Sequence, residues 1–290
     1  LVLIMSLVVS YYLNFNFVKY LSFGVTLAGI LQLLFLFYIS LKFYKPNLIF
    51  KLKVGAKVKF FFKKLLPSIL SSGVIQINIL IGTIIASFET GAVSYLYYAD
   101  RIYQINLAIA GIAVGTVSLP ALSKAFKNKN INKLANIQNK SIELSLILSI
   151  PASLGLVLAS NEIVNALFGY GSFSTEDVKL TGAALKYFGY GVPAFALIKI
   201  LSNFYFARDN TRTPFYISIF VVTTNIIISL SFFSKIGFVI IPIATSISTW
   251  LGVFVYTYLL NEKNSLLLKI DLVVNIFKIF ISSIIMSFIL

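Results

Sequence analysis

Apolar residues dominate this chain in long blocks, and charged residues fall between the blocks instead of alternating with them. Uncharged runs extend over Tyr20 to Leu41, Leu65 to Phe88, Ile102 to Ser123, Leu144 to Asn161, Thr213 to Ser234 and Ile236 to Asn261. Each reaches the roughly 18 residues that a membrane-spanning helix requires. Two less regular spans follow the same pattern, one over about Thr181 to Phe206 with Lys186 and Lys199 inside it, and one starting near Asp271. Together they predict an all-α polytopic membrane protein of about eight transmembrane segments, with the apolar Leu1 to Leu13 as an incomplete first piece.

Composition agrees. Hydrophobic residues make up 59% of the chain and charged residues 11%, against the roughly 25% charged residues of soluble domains. Leu1 is not a start methionine and Leu290 falls within an apolar run, so a piece of a larger protein is expected. No basic region precedes the first apolar run, which argues against a cleaved signal peptide. Cysteine is absent, which excludes disulfides and thiolate metal sites. Histidine is absent too, removing the usual general base and the commonest metal ligand. Nothing resembles a nucleophile with its base, a phosphate loop or a zinc site, so the sequence argues against an enzyme and implies neither a cofactor nor a metal centre.

The net charge of +15 is a matter of topology. Eight lysines, at 42, 45, 51, 53, 57, 59, 63 and 64, crowd the loop read from 42 to 64 without one acidic residue, and five more lie between Lys124 and Lys140. Both loops fall on one side if each segment crosses once, whereas the opposite loops around Glu89, Glu162 to Lys179 and Lys235 carry few basic residues. The excess of lysine makes that side cytoplasmic. Orientation therefore explains the basicity, and nucleic acid is not the expected partner. Interleaved with Phe43, Tyr44, Phe50, Phe60, Phe61 and Phe62, the lysines of the first loop suit a connector lying on anionic membrane lipids.

On the outer side, glycines at 169 and 171 break the helix, and Ser174 with Asp177 three positions on makes a capping box that restarts it. An amphipathic hairpin at the interface is the simpler reading there, and a ligand gate the other.

Arg101 is the most informative single residue. A helix starting after Thr90-Gly91 places it roughly 15 Å along, near mid-bilayer. A charge there costs roughly 2.5 to 3.5 kcal/mol on insertion scales unless it faces a cavity, a partner or an anionic ligand. Its helix-face neighbours are Tyr97, Tyr98 and Gln104, and the preceding span carries Ser68, Ser72 and Gln76 at intervals of four. Facing polar stripes on adjacent helices predict a hydrated cleft. The bland alternative is an ion pair, with Asp100 or between helices, that merely fixes packing. Lys199 lies about two turns from Arg208 and is either a ligand group or a side chain that snorkels to the interface. Asn225 and Ser229, one turn apart, offer oxygens for a monovalent cation or for helix-to-helix hydrogen bonds.

Several stretches carry a family resemblance: Leu66-Pro67, Gln76, Ala86-Ser87-Phe88, SYLYYADRIYQ around Arg101, GTVSLPALSKAF from Gly115 to Phe126, LFGYGSF from Leu167 to Phe173, and FYFARDNTRTP from Phe204 to Pro214. In order and spacing, from about Phe17 to Leu260, they resemble the MurJ (MviN) lipid II flippases. That resemblance implies a MATE-like helical bundle of the multidrug/oligosaccharidyl-lipid/polysaccharide exporter superfamily, in which two six-helix lobes flank a central cavity. It assigns residues 1–41 to the last helices of the N-lobe, 42–64 to a basic cytoplasmic loop, 65–261 to the six-helix C-lobe and 262–290 to the start of an extra helix. Further cavity arginines of the family lie on N-lobe helices outside this match.

By the same resemblance Arg101 is the C-lobe cavity arginine and Asp100 its acidic neighbour. Many members have proline where this chain has Asn106, which leaves the helix bend there open. At the cation position Ser229 is a weaker ligand than a carboxylate. The implied activity is alternating-access flipping of lipid II, an undecaprenyl-pyrophosphate-linked disaccharide-peptide, in the bacterial inner membrane. Arg101 would bind phosphate, Gln76, Tyr97, Tyr98 and Gln104 would contact sugar or phosphate, and Lys199 is a further candidate. Membrane potential or a monovalent cation would supply the energy, since no nucleotide-binding motif is present. A cation-coupled drug or polysaccharide exporter of the same superfamily, and a non-transporting scaffold with Arg101 paired inside the bundle, are the alternatives.

Overall fold

A computed structural model describes residues 2–12, 17–43, 55–262 and 265–289, all in helices and short connections. The lysine-rich residues 44–54 therefore lie outside the described residues, as do the side chains of Ser68 and Ser72. The chain divides into a unit over Leu1–Ala56 and a larger one over Lys57–Leu290. In the first, α1 (Val2–Tyr12) packs on α2 (Phe17–Phe43).

The larger unit opens with α3 (Ala56–Ala86), so the stretch read as loop up to residue 64 is helical from Ala56 onward. Next come α4 (Ala92–Leu107), a π-helical turn (Ala108–Ala113) and α5 (Val114–Lys127), together one continuous rod. The short α7 (Ser160–Phe168) separates α6 (Ile131–Leu158) from α8 (Thr175–Phe206). A 3-10 turn at Gly237–Val239 separates α9 (Arg212–Ile236) from α10 (Ile240–Glu262), and α11 (Ile270–Ile289) follows.

Among the described residues, six helical stretches are long and apolar enough to cross a membrane, one of them the 51-residue Arg212–Glu262 that covers both α9 and α10. Those two helices pack against each other, so the stretch makes two crossings. The count of candidate spans falls below the expected eight, because α1 has only 11 residues and α3 contributes only the shorter apolar stretch Gln76–Ala86.

Helix α8 is the hub: α4, α6, α7 and α10 all pack on it. Its interior is legible in its residue types, since Gly182, Ala184, Gly189, Gly191, Ala194 and Ala196 are buried and small residues let helix backbones approach closely. Pro193 lies in the middle of α8 and supplies no N–H for the Gly189 carbonyl. Ser153 of α6 donates its hydroxyl to that carbonyl at 2.7 Å instead. From α10, Ser246 donates to the Tyr187 carbonyl at 2.7 Å and the Trp250 indole to the Tyr190 carbonyl at 3.0 Å. Side chains of two neighbouring helices thus satisfy the backbone around the proline.

Two apolar clusters fill the unit. One joins Leu122, Leu146, Leu201, Phe204, Ile217 and Tyr256 near one end, and the other joins Ile85, Ala99, Ile102, Val164, Leu185 and Phe238 near the opposite end. At the first end Lys269 Nζ donates to Asn136 Oδ1 at 2.5 Å, and Arg208 donates to the Ser265 carbonyl at 2.9 Å. The 124–140 connection and the residues after α10 therefore share one side.

At the outer end Ser174 and Asp177 form the expected capping box of α8, with the Asp177 N–H donating to Ser174 Oγ at 3.2 Å and the Ser174 N–H to Asp177 Oδ2 at 2.7 Å. Glu89 accepts from the Phe238 N–H at 2.8 Å and so ties the α3–α4 turn to the turn before α10.

Candidate functional site

Helix α4 starts where its sequence predicts, because Gly91 adopts φ +80°, a left-handed conformation that glycine enters without strain. Its outer turns are braced by the α7–α8 corner. Tyr95 donates its hydroxyl to Asp177 Oδ1 at 2.8 Å, and the Tyr98 ring packs on Phe168 and Phe173 with centroids 4.8 and 5.5 Å away. Residues three apart on one face of α4 thus anchor it to the amphipathic hairpin.

The next turn carries the charges. Arg101 is exposed and its guanidinium lies over the Tyr97 ring, 4.7 Å from the centroid, a cation–π contact that holds the side chain and, among the described residues, leaves its hydrogen-bond donors unspent. It makes no ion pair with Asp100 among the described residues. Adjacent residues point about 100° apart on a helix, and Asp100 turns the other way, half-buried, where the Gln104 amide donates to its carboxylate.

Asp100 faces a cavity of about 610 Å3 inside the larger unit. Its walls come from α3, α4, the π-helical turn, α8, α9 and α10. Tyr97, Asp100, Gln104, Lys199, Asn225 and Ser229 all line it, so six candidates drawn from three helices converge. Arg101, Tyr98 and Gln76 are not on its wall: Tyr98 is engaged by the hairpin, and Gln76 is exposed on α3. Among the described residues, Asp100 and Lys199 are the only charged side chains that line it.

Asn225 and Ser229 are buried and belong to a chain of hydrogen bonds. Ser229 Oγ donates to Asn225 Oδ1 at 3.1 Å, Asn225 Nδ2 donates to Thr245 Oγ1 at 3.1 Å, and Thr245 donates to the Ile241 carbonyl at 2.7 Å. The Asn225 amide nitrogen thus joins α9 to α10, while the two oxygens at the position read as a cation site bond each other within α9. Sequence reasoning passed over Thr245, as well as Asn78 and Tyr103 on the cavity wall. For Thr245 a signal existed in the polar pair Thr245 and Thr249 one turn apart on α10, facing the Asn225 and Ser229 pair on α9.

The bend left open at Asn106 is met by the π-helical turn that begins at Ala108. Such a turn widens the helix locally and frees backbone groups. Just after it, on α5, the Gly115 carbonyl accepts from Asn203 of α8 at 2.8 Å. Gly111, in the same turn, lies so close to α8 that a Cβ would sit 3.1 Å from the Ala196 Cα.

Comparison with known proteins gives the chain's family and fold. The family model described as lipid II flippase MurJ matches residues 1–290. A probable lipid II flippase MurJ of Rhizobium meliloti (strain 1021) is 40% identical over 238 residues, covering 80% of this chain and 43% of the relative. One of Rickettsia prowazekii (strain Madrid E) is 37% identical over 242 residues, covering 82% and 47%. Among solved structures, a lipid II flippase MurJ in an inward closed conformation covers 99% of this chain and 58% of its own, with 27% identity and a TM-score of 0.78. An outward-facing multidrug resistance MATE family transporter covers 77% and 51% with 17% identity and a TM-score of 0.61, a likeness of fold. The chain spans about half the length of the curated relatives it matches.

Proposed function

The chain belongs to the lipid II flippase MurJ family and is a multi-pass protein of the bacterial inner membrane, and from that premise we propose that it forms part of a lipid II flippase, a transporter and not an enzyme. Residues 1–41 would supply the end of one lobe, 65–261 the second lobe and 262–290 the start of an appended helix. The substrate's pyrophosphate is anionic, and its polyprenyl tail stays in lipid while the headgroup crosses.

One observation carries this reading: on a helical stretch long and apolar enough to cross a membrane, Arg101 is exposed, rests on Tyr97 and makes no ion pair among the described residues. An arginine so placed needs an anion, and its planar fork suits two phosphate oxygens at once. Tyr97 and Gln104 flank it and would contact sugar or phosphate, with Gln76 and Tyr98 further out. Lys199 and Asp100 in the adjoining cavity would contact the polar headgroup. Rocking of two lobes about such a site would expose it alternately to each side.

For energy coupling, membrane potential is preferred over a monovalent cation at Asn225 and Ser229, because hydrogen bonds already engage those side chains. Anionic lipids would meet the lysines on the cytoplasmic side.

The test is complementation of a bacterium depleted of its own lipid II flippase by the full-length protein. Arg101→Ala should abolish rescue at normal expression, and rescue by that variant would remove Arg101 from the site. Failure of the well-expressed parent would favour a drug or polysaccharide exporter.

A further inference from the structure

Residues 265–269, between α10 and α11, form no helix, yet their main chain is not left to solvent or lipid. Gln138 of α6, fully buried, donates its amide to the Ser265 carbonyl at 3.0 Å and accepts from the Leu267 N–H at 3.1 Å. Its buried neighbour Asn139 donates to the Leu267 carbonyl at 2.6 Å and accepts from the Lys269 N–H at 2.9 Å. Two consecutive amides thus read alternate residues of the connector, the period of two that an extended chain presents. A carboxamide offers a donor and an acceptor side by side and carries no charge to bury.

The strip continues on both sides. Arg208 also donates to the Ser265 carbonyl at 2.9 Å, Lys269 Nζ reaches Asn136 at 2.5 Å, and Asn275, already on α11, donates to Glu143 of α6 at 3.1 Å. Beyond them α11 packs on α6, with Leu272 and Ile276 in the shared apolar cluster. Apolar packing alone discriminates weakly between a protein neighbour and lipid tails. The amide contacts supply the register that packing leaves undetermined.

We propose that Gln138 and Asn139 are positioning residues that clamp the 265–269 main chain to α6, so that α11 moves as one body with the helical unit built on α8. The proposal deepens the flippase reading by naming the moving body to which α11 belongs, and neither arm of its test measures transport.

In the full-length protein, hydrogen exchange over residues 265–269 is followed by mass spectrometry in the parent and in Gln138→Leu/Asn139→Leu. The Leu267 and Lys269 amides should exchange roughly fivefold to tenfold faster in the variant, as expected when a buried hydrogen bond is lost. Exchange along α8 should stay unchanged. Equal rates over 265–269 in parent and variant would overturn the clamp. If the double variant does not fold, Asn139→Leu alone gives the same readout at Lys269.

The second arm introduces Glu143→Cys and Asn275→Cys into a version with no other cysteine and bridges them with a short bis-thiol reagent. Cross-linking should proceed at one rate with and without lipid II, and a rate that changes with substrate would show α11 leaving α6 and overturn the rigid body. If the protein were not a flippase, the exchange result would stand and only complementation would fail.

Discussion

The Tyr95 hydroxyl and the Asp177 carboxylate meet at 2.8 Å, joining the first turn of α4 to the first turn of α8 across 82 residues of sequence. Asp177 holds both helix starts at once, because its other oxygen takes the Ser174 hydroxyl and N–H of the capping box at 2.7 Å each. The two roles belong to different oxygens, so substitution can separate them.

Tyr95→Phe removes the cross-helix bond and leaves the cap intact, whereas Asp177→Ala removes that bond and the carboxylate half of the capping box, keeping only the backbone N–H to Ser174 Oγ. Asp177→Ala should therefore lower the thermal unfolding temperature of the purified full-length protein more than Tyr95→Phe does. The reverse order would mean that the cap contributes nothing to the placement of α4.

At the α8 proline the expectation is non-additive. Ser153→Ala leaves the buried Gly189 carbonyl without its donor and should cost about 1–3 kcal/mol. Adding Pro193→Ala restores a backbone N–H four residues on, which can bond that same carbonyl. Thermal unfolding of both single variants and the double should show most of the Ser153→Ala loss recovered in the double, and simple additivity would refute the shared carbonyl.

Gly111 tests the close approach of the π-helical turn to α8. A Cβ there meets the Ala196 Cα at 3.1 Å and the end of Leu107 at 3.0 Å, so Gly111→Val should destabilise by about 1–3 kcal/mol through overpacking. Gly155, where an added methyl would meet nothing within 4 Å, is the control: Gly155→Ala should be tolerated or slightly stabilising in thermal unfolding, since alanine favours helix by about 1 kcal/mol over glycine.

Asn225 and Thr245 should be energetically coupled by their 3.1 Å hydrogen bond. Asn225→Leu, Thr245→Val and the double variant should give a coupling energy of about 1 kcal/mol. Measured in sodium and again in choline, the coupling should be the same. A rise in unfolding temperature caused by sodium and lost in Asn225→Leu would instead support a cation at this position.

Arg101→Lys separates charge from shape at the proposed phosphate site, because lysine keeps the charge and loses the planar fork. Complementation by this variant should fall between the parent and Arg101→Ala. Equality with the parent would make Arg101 a point charge only.

The helices were legible because their signals are local. Uncharged runs marked the membrane segments, Gly91 marked the start of α4, and Ser174 with Asp177 marked the start of α8. The YYADR and RDNTRTP stretches carried the family for the same reason: they are contiguous in sequence. Even the polarity of the Arg101 face could be read from spacing, since Tyr97, Arg101 and Gln104 share it wherever the helix packs.

Partners that come from another helix were not legible. Spacing could not say that Asp100 lines the cavity while Arg101 stays exposed on Tyr97, because that depends on which side α8, α9 and α10 occupy. Likewise, Gln138 and Asn139 read as ordinary polar residues of a cytoplasmic loop until residues 265–269 are laid across them. By itself the sequence determined the apolar helical segments and the starts of α4 and α8, because a bilayer acts on each segment separately through hydropathy and a cap acts locally. The tertiary structure alone decided which polar groups meet, because a buried donor is satisfied by whatever acceptor packing brings within about 3 Å, and that acceptor lies far away along the chain.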